Sequence, residues 1–147
     1  MSVRVYVDTN VWVYARDGRF PEKQARAQAW LRSLGRSSAM TVSPQVASEH
    51  HSVAQKKLGL RPAAARQATE AILVWCDAPL TRTEVARALD LRAKFRTSWW
   101  DAAHLASALA ARCTHFLTED AQSAPVIEGL KIIDPFFTAP EELVGAG

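Results

Sequence analysis

Short runs of β-branched and aromatic residues alternate with longer helical stretches along this chain, and that alternation limits the folds open to it more than any other feature. Val3 to Val7 (VRVYV) reads as a buried strand and runs directly into Asp8. A short helix through Val11 to Ala15 follows. Pro21 to Leu34 opens with Pro and Glu and closes on Gly35, the start and stop chemistry of a helix. Ala39 to Val42 is a second strand. Ser43-Pro44 then caps a helix reaching about Leu58, and Pro62 to Val74 forms another. Leu73 to Asp77 reads equally as helix or strand. Thr81 to Glu84 has capping-box spacing and opens a helix to about Phe95; Ser98 to Asp101 repeats the signature for a helix ending near Arg112. His115 to Thr118 and Leu130 to Ile133 are the last strands.

Strands that alternate with helices predict an α/β fold, with a parallel sheet and helices on both faces. Right-handed crossovers place the strand C-termini along one edge, and ligands bind outside that edge. Asp8 and Asp120 each follow a strand, so both carboxylates should lie there. The length of 147 residues fits one domain, and 48% hydrophobic against 22% charged residues excludes a disordered chain. No apolar run is long enough to span a membrane, and the residues before Asp8 do not form a secretory signal. Cys76 and Cys113 have neither disulfide-scaffold nor zinc spacing, which fits a reduced, cytoplasmic setting. A net charge of +3 is a weak pointer to a polyanionic partner.

Each of four acids has an ordinary reading and a functional one. Val46, Glu49 and Val53 share a helix face, so Glu49 either points inward or reaches solvent from the stripe's edge. Val53 at i+4 offers it no salt bridge. Asp101 sits where a capping box would use it, or faces the strand ends from the first turn. Asp8 can cap the short helix, and Asp120 can serve a turn. Taken together, the acids would repel one another by ~4 kcal/mol per pair at ~4 Å and a dielectric near 20, so they must take up protons or bind a cation. An all-oxygen site favours Mg²⁺ or Mn²⁺, and metal-assisted phosphodiester hydrolysis is the matching chemistry.

Four motifs stand in order: VYVDTN at the first strand, VSPQVASEH on an early helix, SWWDAAHLASALA on a late helix, and FLTED near the end, with GLKIIDPF over the last strand. Together they resemble the PIN domain, more narrowly the VapC toxins of bacterial toxin–antitoxin pairs, from Val3 to Phe137. The resemblance implies a three-layer α/β/α sandwich around a mostly parallel sheet of four to five strands. It implies a single domain over residues 1–137 and a C-terminal tail over 138–147. It further implies a cytoplasmic, Mg²⁺-dependent endoribonuclease (with Mn²⁺ as the other ion), which cuts structured RNA such as tRNA or rRNA to leave a 5′-phosphate and a 3′-hydroxyl. Asp8 and Asp101 would be the main metal ligands. Glu49 and Asp120 would complete the quartet, directly or through water, with Asn10 and Thr118 in support; the motif favours Asp120 over its neighbour Glu119. A homodimer blocked by a cognate antitoxin is the expected assembly.

Arg16, Arg19, Lys56, Lys57, Arg92, Lys94 and Arg96 are candidates for a basic rim, or for solvated helix faces. Trp12, Tyr14, Phe20 and Trp30 are candidates for a partner surface, or for core packing. His50, His51 and His104 are read as structural. Two other readings compete. One is an inactive domain of the same fold that binds RNA or a partner. The other is a phosphohydrolase with Asp8 as nucleophile; Asn10 stands where such an enzyme needs a second Asp, which argues against it.

Overall fold

The computed structural model describes residues 2–120 and 125–145. Its elements run β1 (Val5–Val7), α1 (Thr9–Tyr14), α2 (Pro21–Arg36), β2 (Met40–Thr41), α3 (Pro44–Lys56), α4 (Pro62–Leu73), α5 (Arg82–Phe95), α6 (Trp99–Ala110), β3 (His115–Leu117), β4 (Val126–Ile127), β5 (Leu130–Ile133) and α7 (Glu141–Val144). The sheet order is β2-β1-β3-β5-β4, parallel throughout except for the β4–β5 pair. Five strands, mostly parallel, between helical layers match the α/β expectation.

β1 lies inside the sheet, between β2 and β3, and all three of its residues are buried. A parallel strand covered on both faces reads as a continuous apolar run, which is why VYV was legible. Tyr6 pairs in register with Thr41 on one side and Phe116 on the other, so β1 and β3 end level with each other. That register brings Asp8 and Thr118 side by side, one residue beyond each strand.

Local chemistry sets most helix ends. The α5 capping box is complete: the Thr81 hydroxyl accepts from the Thr83 N–H at 3.3 Å, and the Glu84 carboxylate accepts from the Thr81 N–H at 2.7 Å. Ser43 and Pro44 open α3 as expected. α2 continues through Gly35 and closes at Ser37, whose backbone N–H donates to the Ser33 carbonyl. The ambiguous segment after α4 is neither helix nor strand. It turns, and Cys76 makes one isolated parallel bridge to Val42. The segment expected as a tail carries α7, and Leu143 and Val144 pack on the core. Trp30, fully buried, donates its indole N–H to the carbonyls of Pro135 and Thr138, at 3.0 Å each. Residues 146 and 147 of that segment lie outside the described residues.

Trp30 is therefore core and not surface, whereas Phe20 is 45% exposed. Tyr14 packs edge-on against Phe20 and Phe136. His50 is wholly buried; burial, then the charges of Arg16 and His51, hold its pKa down to about 4, so it is a neutral core residue near pH 7. Among the described residues, no helix is long and apolar enough to cross a membrane.

Both cysteines are free thiols. Burial pushes the Cys113 thiol up to about 11 against a partial offset from Arg4. Since only the thiolate reacts, its fraction at pH 8 is ~0.1%, against roughly a quarter for an unperturbed thiol of pKa ~8.5. Iodoacetamide at pH 8 should therefore label Cys113 at least ~100-fold more slowly in the folded protein than in urea, rising about tenfold per pH unit toward 11. Peptide mass spectrometry over a time course reads this directly, and equal labelling in both states would contradict it.

Candidate functional site

Asp8 follows β1 and caps α1, so one residue serves both of its sequence readings. Its backbone N–H donates to the Leu117 carbonyl at 3.0 Å, which locks it beside β3. One carboxylate oxygen accepts from the Thr9 N–H at 2.7 Å. The other accepts from the Thr118 hydroxyl at 2.7 Å and the Asn10 amide at 3.3 Å. The side chain is buried, and burial raises its pKa. His104 and the hydrogen bonds from Thr118 and Thr9 oppose that rise, while the Asp101 charge adds to it.

Glu49 points inward from α3, and three donors hold its carboxylate. The Thr9 hydroxyl donates at 2.6 Å, His104 Nε2 lies at 2.9 Å, and the Gln45 amide donates at 2.8 Å. Burial works against the Glu49 charge. The hydrogen bond and charge of His104 outweigh it, with Thr9 and Gln45, and bring the pKa down to about 2. The local partner is thus the residue at i−4, on the side opposite the empty i+4 position.

His104, read from the sequence as structural, lines the same cleft as the acids and supports two of them. It stands on α6 one turn after Asp101 and is 2% exposed. Nε2 faces Glu49 at 2.9 Å and Asp8 at 3.5 Å; Nδ1 lies 2.7 Å from the Tyr6 hydroxyl, which in turn lies 2.8 Å from Ser43 Oγ. Burial alone disfavours the imidazolium. The Glu49 hydrogen bond and the charges of Asp8, Glu49 and Asp101 outweigh it, so the pKa is raised. A cationic ring with both nitrogens donating satisfies every partner in this chain. The signal for it was present in the sequence: Asp101 and His104 are at i and i+3, on one helix face.

Asp101 is placed differently from the other acids. Its backbone N–H donates to the Ser98 hydroxyl at 3.1 Å, so half of the expected capping box forms. Its carboxylate, in contrast, has no hydrogen bond or ion pair among the described residues. Asp120 follows β3; its N–H donates to Thr118 Oγ1 at 3.1 Å and its carboxylate accepts from Asn10 at 3.4 Å. Burial, then the charges of Asp101 and Glu119, raise the Asp120 pKa. Neighbouring Glu119 is ion-paired with Lys23.

These groups share one cleft of about 750 Å³, with Asp8, Glu49, Asp101, Asp120 and His104 in its walls. Of the seven rim candidates, Arg19 and Lys57 also line it. Arg19 is committed to a two-pronged contact with Asp17. Trp100, 63% exposed, stands beside Asp101 at the rim, although nothing in the motifs singled it out.

The donor set fits a hard divalent cation. Single ligand atoms of Asp8, Glu49 and His104 lie within 4.8 Å of one another. Both His104 nitrogens are engaged by Tyr6 and Glu49, which leaves oxygen donors to face the cleft. The Asp101 carboxylate, buried in part, has no hydrogen bond or ion pair among the described residues, so its oxygens are open to a cation in the cleft.

Residues 5–126 match the family model described as PIN domain. No curated protein sequence is matched at a significant level. Among solved structures, a toxin–antitoxin complex from Klebsiella pneumoniae is similar with a TM-score of 0.65 at 20% identity, covering 89% of this chain and 97% of that one. VapBC2 from Rickettsia felis, bound to a DNA fragment from its promoter, gives 0.65 at 14%, covering 90% and 98%. The sarcin–ricin-loop-cleaving toxin VapC20 from Mycobacterium tuberculosis gives 0.58 at 17%, covering 79% and 91%. At these identities the structures speak for the fold, and the family model spans most of the chain. With the ordered motifs and an acid cleft at the strand ends, the chain belongs to the PIN domain family.

Proposed function

We propose that this chain is a divalent-metal-dependent endoribonuclease and the toxin member of a VapBC-type pair. The observation that carries the reading is the unpartnered Asp101 carboxylate in a cleft that also holds Asp8, Glu49 and Asp120. Asp8, Asp101 and Asp120 would hold Mg²⁺ or Mn²⁺, with Glu49 reaching it directly or through water. A bound ion supplies a water acidic enough to attack phosphorus near neutral pH, and charge to offset that developing on the phosphate.

The chain's own groups do the rest. Asn10 bridges Asp8, Thr118 and Asp120, and so fixes the spacing of two acids that follow different strands. Thr118 donates to Asp8 and accepts from the Asp120 N–H, which orients both. His104 offsets charge behind the ligands and keeps Glu49 ionised. Lys57, on the rim, can meet the RNA backbone.

The toxin assignment draws on the neighbours, several of which are toxin–antitoxin complexes. It entails a small antitoxin partner, RNA as substrate, a homodimer and action in the cytoplasm. Incubation of total RNA with the protein in Mg²⁺, in EDTA, and with Asp8→Asn in Mg²⁺ tests the chemistry. Cleavage is expected in the first arm alone; equal cleavage in all three would refute the assignment. Co-expression of an antitoxin from a neighbouring small reading frame should suppress it.

A further inference from the structure

A second cavity, of about 270 Å³, adjoins the acid cleft. Phe95, Leu105, Phe116, Ile127 and Ile132 form its apolar walls. They come from α5, α6, β3, β4 and β5, so the cavity is built by the fold and not by one loop. Phe116 is held by stacking on Tyr6, with ring centroids 5.2 Å apart and planes 5° from parallel. Asp101 and Asp120 belong to both cavities. Arg96, at the remaining edge, is exposed and makes no ion pair among the described residues. Its backbone is left-handed, with φ of 54°, which a residue with a Cβ adopts only at a cost.

We infer that this cavity is a base pocket that seats one unstacked nucleobase of the RNA beside the phosphate to be cut. The inference rests on the nuclease reading above. A phosphate drawn to Asp101 and Asp120 through a bound cation lies at the rim shared by both cavities, and a base tethered to it through one ribose reaches the apolar walls. Proteins read single-stranded RNA by taking splayed bases onto aromatic side chains and arginine planes, and Phe95 and Arg96 supply one of each. The exposed guanidinium is positioned for the phosphate on the far side of that nucleotide. The pocket makes cleavage depend on base identity, whereas the acid cleft alone reads only the backbone.

Methyl-labelled protein in Mg²⁺, titrated with each of the four ribonucleoside 5′-monophosphates and with ribose 5-phosphate, tests this by NMR. At least one nucleotide should shift the methyl groups of Leu105, Ile127 and Ile132, and ribose 5-phosphate should not. Thr97→Trp and Ile132→Phe each fill the cavity from a different wall. Either one, if folded by circular dichroism, should abolish the shifts of Leu105 and Ile127 and reduce the preference among cut sites at least tenfold, read by sequencing RNA ends. Identical shifts from ribose 5-phosphate, or none from any nucleotide, would overturn the pocket. So would wild-type cut sites at wild-type kcat/KM in the cavity-filled variants. If nucleotides shift the methyls while the wild-type protein cuts no RNA, the nuclease reading falls, and what stands is nucleobase binding in the cavity without its link to a cut site.

Discussion

The Asp101→Asn variant should lose about a thousandfold in metal-dependent RNA cleavage while unfolding within about 1 kcal/mol of the wild type. Both halves follow from where Asp101 spends its interactions. Its capping contact to Ser98 uses the backbone N–H and survives the substitution. The favourable alignment of a carboxylate with the α6 N-terminus, worth about 0.3–1 kcal/mol, is lost. Repulsion of Asp8 and Asp120 is relieved at the same time, which offsets it. The lost activity reflects the ion's charge in the transition state, worth several kcal/mol at ~1.4 kcal/mol per tenfold. Steady-state cleavage of a defined RNA and urea unfolding in EDTA measure the two quantities. A variant that keeps its activity, or unfolds by 2 kcal/mol or more too easily, would return Asp101 to a plain capping role.

His104→Ala should cost about 3 kcal/mol of stability in EDTA and recover part of that loss in millimolar Mg²⁺. His104 is the counter-charge between Asp8 and Glu49, and it also engages the Tyr6 hydroxyl. Its removal leaves two partly or wholly buried carboxylates facing each other, the situation in which breaking a buried pair is most costly. A divalent ion restores positive charge to the same place by mass action, through binding to the folded state alone. His104→Gln should fall between the two proteins, since it can keep a hydrogen bond to Glu49 without the charge. Urea midpoints with and without Mg²⁺ check the ranking. A loss below about 1 kcal/mol in EDTA, with no response to Mg²⁺, would deny His104 this part.

Those two residues show what could be read in the sequence and what could not. β1, α3, α5 and α6 were legible because their signals are local: a β-branched run, a Ser-Pro start, and two cap signatures. The edge pair β4–β5 escaped in part because β4 has two residues, too few to show a period. The turn after α4 stayed undecided because Val42, thirty-odd residues earlier, supplies the contact that settles it. Glu49 could be placed on an inward face, but not with its partners. Thr9 and His104 are remote in sequence, and Gln45, a turn back, is a neutral amide that no charge pattern marks. His104 itself was set aside by chemistry that asked only for metal ligands. A cluster of acids around one buried carboxylate also draws on a hydrogen-bond donor behind it, and the i, i+3 spacing to Asp101 marks where His104 stands.

The contact between the Asp8 N–H and the Leu117 carbonyl joins the eighth residue to one more than a hundred positions later. Chain synthesis proceeds from the N-terminus, so Asp8 and Glu49 leave the ribosome long before Thr118 and Asp120 exist to complete their surroundings. A half-made copy therefore carries two of the acids without the cleft they line. The cleft is therefore a late product of folding, complete only when β3 has docked beside β1.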